Sequence, residues 1–346
     1  MENYLKEPNP DKQITSEIIA SKVRCIKAPY NPDAIIFSFL ISKYANSEGD
    51  EFALSLRGEC PIKLEIVPSG RVITIFDKQY NIGQTSFSSL FPISVDDLIP
   101  ILAGMFSSLV LERRPLTEYE RNVLSQMENL GVSVEKNIKI PNYKHLPLFS
   151  SLTMSIDPYI PDMTGNREDT IKALDELGIE ATDKLEDLDE AKLNTLMMRI
   201  ASSVMKVNPK FDRTDLITDR VYYMEYDTLE LAFTTLYFLD VRGIGDLFQL
   251  VYTPNYAETL ITKFRDDMAK GFKINGLTET TQYYVVDSTL RSPILLQLIF
   301  IQQGRVRRDK PIFIKTQEGL FTSRYFYVNS GKEGLIRVED KYNSKD

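Results

Sequence analysis

Pro29-Tyr30-Asn31-Pro32-Asp33-Ala34 lies between a short apolar run, Val23 to Ile26, and an apolar helix-like segment, Ile35 to Tyr44. An Asx-Pro-Asp turn that follows a strand and opens a helix puts a carboxylate at the helix N-terminus, where it caps backbone N–H groups or holds a metal ion. The residues alone leave both uses open. Beyond the helix, Phe52 to Leu56, Lys63 to Val67 and Arg71 to Phe76 read as strands, separated by Gly58, Pro61 and Pro68-Ser69-Gly70. Strand, loop, helix and further strands form a βαβ-type opening, which predicts an α/β fold with a mostly parallel sheet and a ligand edge at the strand C-terminal ends.

Further along, Val95 to Leu111 and Leu116 to Leu130 read as helices, the second opened by Thr117 with Glu120 in capping-box spacing. Pro147 to Gly165 is apolar yet punctuated by proline, as expected of an ordered loop pressed on a core. From Asp175 to Lys192 eight acids face two lysines, which reads as a solvated connector. A second α/β unit follows, with helices over Leu229–Leu239, Tyr256–Lys270 and Pro293–Gln303, and strands over Tyr283–Val286, Pro311–Lys315 and Thr322–Val328. The expected domains are 1–180, an acidic helical connector over 181–218, and 219–346.

At 346 residues and 43% apolar content the chain is long enough for two cored domains. The longest uncharged apolar run, Ser292 to Gln303, falls short of the ~20 residues that span a bilayer, and Met1 to Asp11 lacks the apolar core of a signal peptide. No membrane association is expected, and a cytoplasmic location is. Cys25 and Cys60, both in predicted strands, read as buried free thiols of a reducing cytosol. The net charge of −8 is uneven: residues 287–346 carry 11 basic and 7 acidic side chains, so the body of the chain is strongly acidic and its end locally basic. One histidine, His145, excludes any mechanism built on several imidazoles.

The order of segments resembles the DHH phosphoesterase superfamily, specifically the branch of archaeal RecJ-like proteins and the cell division control protein 45 family. The most specific match is Leu152-Thr-Met-Ser-Ile-Asp-Pro-Tyr-Ile-Pro-Asp-Met-Thr-Gly165, followed by a helix ending Asp-Glu-Leu-Gly-Ile179. Leu229 to Gly243 is similar to the segment that opens the family's DHHA1 domain. The resemblance thus implies a DHH-like domain with a mostly parallel sheet flanked by helices and a smaller DHHA1-like α/β domain.

Family motif one, His-Asn-Asp-Ala-Asp-Gly, matches Pro29 to Ala34, so its first histidine and first aspartate become Pro29 and Asn31 and only Asp33 survives. The defining Asp-His-His is matched to Asp77-Lys78-Gln79, and a further family aspartate to Glu112. Such enzymes hold two divalent ions about 3.5–4 Å apart to generate hydroxide and steady a leaving oxygen. Hard ions need several converging oxygen ligands, and here the imidazoles and one carboxylate are gone. Lys78 beside Asp77 fits an ion pair better than a cation site. The expectation is a degenerate member with no catalytic residue, no metal and no cofactor.

The resemblance also implies a structural role in DNA replication: binding GINS and, through it, the MCM helicase at the nucleoid, with contact to single-stranded DNA. Candidate nucleic-acid positions are Ser323 and Arg324, which match a phosphate-contacting Ser-Arg strand, and the basic turn with Arg305, Arg307 and Arg308. The family's glycine-rich histidine loop is absent; Asn329 to Gly334 is the only glycine-bearing turn nearby. The competing expectation is a metal-dependent phosphoesterase or single-strand exonuclease working with Asp33, Asp77 and Glu112.

Overall fold

The computed structural model describes residues 13–327 and 332–338; Met1 to Asp11 and the start of the Asn329–Gly334 turn lie outside the described residues. By packing, the chain falls into two compact units. The first runs to Val132 and includes Ile244–Ala257; the second holds Ser133–Gly243 and the residues from Glu258 onward.

In the first unit, α1 (Ile14–Ala20), β1 (Cys25–Lys27), α2 (Pro32–Ser47), β2 (Ala53–Ser55), β3 (Ile62–Val67), β4 (Gly70–Ile75), β5 (Lys78–Gly83), α3 (Leu98–Glu112) and α4 (Glu118–Glu128) follow in order. The sheet order is β2-β1-β3-β4-β5. β1 pairs in parallel with β2 and β3, whereas β3-β4-β5 is an antiparallel meander. The sheet is therefore mixed rather than mostly parallel. Two-residue turns at Pro68-Ser69 and Phe76-Asp77 join its last strands, and a parallel return would need a dozen or more residues. α3 is almost wholly buried and α2 is buried from Pro32 to Ser42, its last five residues reaching the surface, as helices whose apolar faces are enclosed in a core must be. The capping box forms as expected: Glu120 N donates to the Thr117 hydroxyl at 3.2 Å and Thr117 N to the Glu120 carboxylate at 2.9 Å.

Cys25 and Cys60 are joined by a disulfide, which corrects the free-thiol expectation. Cys60 precedes β3 rather than lying within a strand, and the parallel pairing of β1 with β3 brings the two α-carbons to 5.4 Å, a separation that a disulfide spans. Local sequence pattern carries no information on that register.

The second unit contains β6 (Val132–Ile138), α5 (Leu148–Thr153), α6 (Arg167–Asp175), α7 (Glu190–Met205), β7 (Ile217–Tyr223), β8 (Tyr226–Asp227) and α8 (Thr228–Arg242). After α9 (Gly245–Tyr252), which groups with the first unit, come α10 (Tyr256–Ala269), β9 (Ile274–Glu279), β10 (Tyr284–Ser288), α11 (Pro293–Gln302), β11 (Ile312–Thr316), β12 (Gly319–Ser323) and β13 (Leu335–Val338). A five-stranded sheet, β13-β12-β11-β10-β9, has one parallel pair, β10 with β11, connected through α11. The strand expected over Thr322–Val328 ends at Ser323, where the chain turns. α9 joins the first unit because Phe248 meets Phe39 edge to face at 5.3 Å and the Tyr252 hydroxyl lies 3.0 Å from that of Ser42.

The proline-punctuated stretch opens with α5, where a loop was expected, and continues from Met154 to Gly165 as an ordered loop. Ile156, Ile160 and Met163 are fully buried, and Thr164 Oγ1 accepts from Ile160 N and donates to Ser155 O. Gln302 ties it to α11 by accepting from Tyr159 N at 2.8 Å and donating to Ile156 O at 2.7 Å. The acids between Asp175 and Glu190 are mostly exposed.

Candidate functional site

Asp33 does not cap its own helix. Asn31 is the N-cap, accepting from Asp33 N at 3.0 Å and Ala34 N at 3.3 Å. Asp33, fully buried, turns its carboxylate to the segment after β5: Oδ2 accepts from Phe87 N and Oδ1 from Ser88 N, both at 2.8 Å. Gly104 on α3 makes room, since a Cβ there would collide with the Ser88 side chain and approach Asp33 Oδ1 to 3.4 Å. Burial pushes the Asp33 carboxyl up, opposed by the Arg71 charge and the Ser88 and Phe87 amides.

Sequence reading missed Arg71, which is 1% exposed on β4. Its Nε lies 3.6 Å from Asp33 Oδ2, Nη1 donates to the Gln84 carbonyl at 2.8 Å, and Nη2 donates to Ser108 Oγ and Glu112 Oε1 at 2.5 Å. Glu112 in turn takes Arg114 Nε at 3.0 Å on its other oxygen, and Arg114 binds Glu120 through two parallel hydrogen bonds of 2.8 and 2.9 Å. Carboxylates and guanidinium groups therefore alternate from Asp33 through Arg71, Glu112 and Arg114 to Glu120. Burial alone would raise the Glu120 carboxyl; Arg114 and the Thr117 and Ser86 amides outweigh it and hold it below the usual carboxylate range.

Asp77, Lys78 and Gln79 do not join this cluster, although Glu112 does. Register places Ile75 beside Ile62, and Ile62 beside Ile26, so the Phe76-Asp77 turn lies at the sheet edge where β1 and β3 begin. Asp33, Arg71 and the chain after Gly83 lie at the edge where β1 ends. Lys78 pairs with Glu17 at 3.1 Å rather than with Asp77, and Tyr80 donates to the same carboxylate. The segment that meets Asp33 is Gln84-Thr85-Ser86-Phe87-Ser88, which contains no imidazole or carboxylate. The signal for it was the pair of hairpin turns, each too short for a parallel crossover. Pro29 closes the loop, its carbonyl accepting from Asn31 N at 2.8 Å.

These residues do not fit a pair of divalent ions. The two motif carboxylates that converge, Asp33 and Glu112, share a guanidinium, and among the described residues no group of three or more His, Cys, Asp or Glu side chains is arranged to hold a metal.

In the second unit Ser323 and Arg324 are buried, at 0% and 2% exposure, so they do not present a phosphate-binding surface among the described residues. Ser323 Oγ accepts from Tyr325 N at 3.1 Å and Arg324 Nη1 donates to Tyr327 O at 2.9 Å, closing the turn after β12. Arg305, Arg307 and Arg308, by contrast, are exposed on the turn between α11 and β11; Arg305 stacks on Phe300 and Arg307 lies 3.5 Å from Asp309.

Ser323 also faces Asp240, whose Oδ2 accepts from Ser292 Oγ at 2.6 Å and Ile294 N at 2.7 Å. Burial pushes this carboxyl up to about 7, against hydrogen bonds from Ser292, Ser323 and Ile294. A value above that of the unfolded chain favours the folded state where the group is protonated, so this stability is full below about 3.8 and is lost as pH rises through about 7. Denaturant unfolding should show a loss of ~1.4 kcal/mol between pH 6 and pH 8 from this group, and Asp240→Asn should flatten that dependence.

A family model described as Archaeal Cdc45 matches residues 1–341. No curated protein matches the chain. Among solved structures, CDC45 from Entamoeba histolytica is similar in fold, with a TM-score of 0.54 at 9% identity over 88% of this chain and 85% of that one. Among the described residues no helix is long and apolar enough to cross a membrane. The chain belongs to the archaeal Cdc45 family.

Proposed function

We propose that this protein is a non-catalytic structural subunit of the archaeal replicative helicase assembly, binding GINS and through it the MCM helicase, and contacting single-stranded DNA. Family membership supports a replication-associated role. The observation that carries the non-catalytic part is the Arg71 guanidinium lying between Asp33 and Glu112, where a two-metal hydrolase needs open carboxylates. Within this proposal residues 1–180 are the degenerate DHH-like region, 181–218 the connector and 219–346 the DHHA1-like region. Packing itself groups the chain at Val132 and Ser133. The site of action is the cytoplasm, at the nucleoid.

Co-purification of the tagged protein from its own cell extract should recover GINS subunits; repeated recovery without any GINS subunit would refute the partner assignment. For DNA, the exposed turn is the better candidate than the buried Ser323-Arg324 pair. Replacing Arg305, Arg307 and Arg308 together by alanine should weaken binding to single-stranded oligonucleotides most at low salt and flatten its salt dependence, because fewer phosphates are neutralised. Arg324→Ala should instead lower stability, an outcome separable by thermal melting.

A further inference from the structure

We propose that a cleft in the second unit, between α5, α6 and α10, docks a partner polypeptide through one aliphatic side chain with a carboxylate beside it. Leu146, Met154 and Ala269 supply apolar surface, and the guanidinium groups of Arg167 and Arg265 stand among the polar groups of the lining. The cleft has a volume of about 130 Å³, well below the roughly 300 Å³ at which pockets for whole small-molecule ligands begin. A space of that size takes a single side chain, so the rest of the recognised segment lies outside it.

The polar groups select the neighbour of that side chain. Arg167 is exposed, holds its guanidinium 4.7 Å over the Phe149 ring, and has no carboxylate partner among the described residues. Stacking fixes the plane of the group and leaves its edge of N–H donors unmet, the edge through which arginine takes a carboxylate by two parallel hydrogen bonds. Arg265 is held from behind: Nε and Nη2 donate to the two oxygens of the buried Glu230 at 2.6 and 2.8 Å, which leaves Nη1 without an acceptor among the described residues. A long side chain already fixed in this way loses little further freedom on binding. Glu230 balances the Arg265 charge and the exposed Asp266 is the acid of the lining, so the cleft offers a surplus of N–H donors with little surplus of charge. It therefore suits one carboxylate and not a nucleic acid strand, which carries a charge on every phosphate. An aliphatic side chain with an acidic neighbour meets both halves of the cleft.

The test uses the full chain with isotope-labelled methionine methyl groups. Met154, buried and lining the cleft, is the reporter, its resonance assigned with Met154→Leu. The protein is titrated with acetyl-Leu-Glu-amide and acetyl-Glu-Leu-amide, with the corresponding glutamine dipeptides, and with acetate. At least one acidic dipeptide should shift the Met154 methyl saturably. Its glutamine counterpart should bind roughly fivefold more weakly, and Arg167→Ala should weaken the acidic dipeptide by the same factor, the upper end for an exposed ion pair. Ala269→Leu, which fills the apolar part, should abolish the shift. Arg167 and Ala269 are exposed, so both variants should melt as wild type does, which separates lost binding from lost fold. No saturable shift with either acidic dipeptide, equal binding of the glutamine dipeptides, or unchanged binding by Arg167→Ala overturns the proposal. An equal response to acetate also overturns it, because the cleft would then be an anion site without an apolar anchor. None of these results bears on the non-catalytic reading, which rests on residues of the first unit.

Discussion

Replacing Arg71 by methionine should destabilise the first unit by about 3–5 kcal/mol, the usual effect of removing one member of a buried ion pair. Methionine keeps much of the volume, so the loss reports charge and hydrogen bonding more than a cavity. Arg71 serves Asp33, Gln84, Ser108 and Glu112 at once, and its removal leaves the buried Asp33 carboxylate with neutral partners, the Phe87 and Ser88 amides and the Ser88 hydroxyl, and no countercharge. Hydrogen exchange checks the location: α2, α3 and residues 84–88 should lose protection while the β9–β13 sheet keeps it. Glu112→Gln, at a side chain 22% exposed, should cost clearly less. Equal losses for the two would mean that the network does not pivot on Arg71.

Asp227→Ala should have a comparable effect, about 3–5 kcal/mol, confined to the second unit. Asp227 is fully buried and does three things: both oxygens receive Arg220 Nη2 at 2.6 Å, Oδ2 accepts from Asn142 N at 2.5 Å, and Oδ1 caps α8 through Leu229 N at 3.1 Å. Arg220, 2% exposed, would be left as an uncompensated charge in the core. Exchange should quicken in β7, α8 and around Asn142. A loss near 1 kcal/mol, the size of a cap alone, would show that Arg220 finds another partner.

Much of the fold was legible because its signals are local. The capping box of Thr117 and Glu120, the buried character of α2 and α3, the proline-rich loop before Gly165 and the helix over Pro293–Gln302 all follow from residue type and spacing. Even the likeness to the cell division control protein 45 family, which the family match bears out, rested on contiguous segments. What escaped was long-range. Arg71 sits in an ordinary strand sequence, and nothing near it signals that its charge faces Asp33, which is 38 positions earlier, or Glu112, which is 41 later.

The same limit misplaced Asp77. A carboxylate after an apolar strand fits a motif, but two hairpin turns reverse the strand direction and carry Asp77 to the sheet edge away from Asp33. Ser323 and Arg324 fit a phosphate-binding strand by residue type, and burial decided otherwise. The Cys25–Cys60 disulfide depends on strand register, to which a pattern of apolar residues is blind.

The Arg71 guanidinium lies between Asp33 and Glu112, and the central claim, the proposed non-catalytic role, rests on that pairing, because a two-metal hydrolase needs open carboxylates. Incubating purified wild type and Asp33→Asn with 5′-labelled single-stranded DNA and Mn²⁺ tests it most directly. The expected result is no shortened product above the protein-free control from either protein. Shortened product from wild type that disappears in Asp33→Asn would contradict the claim.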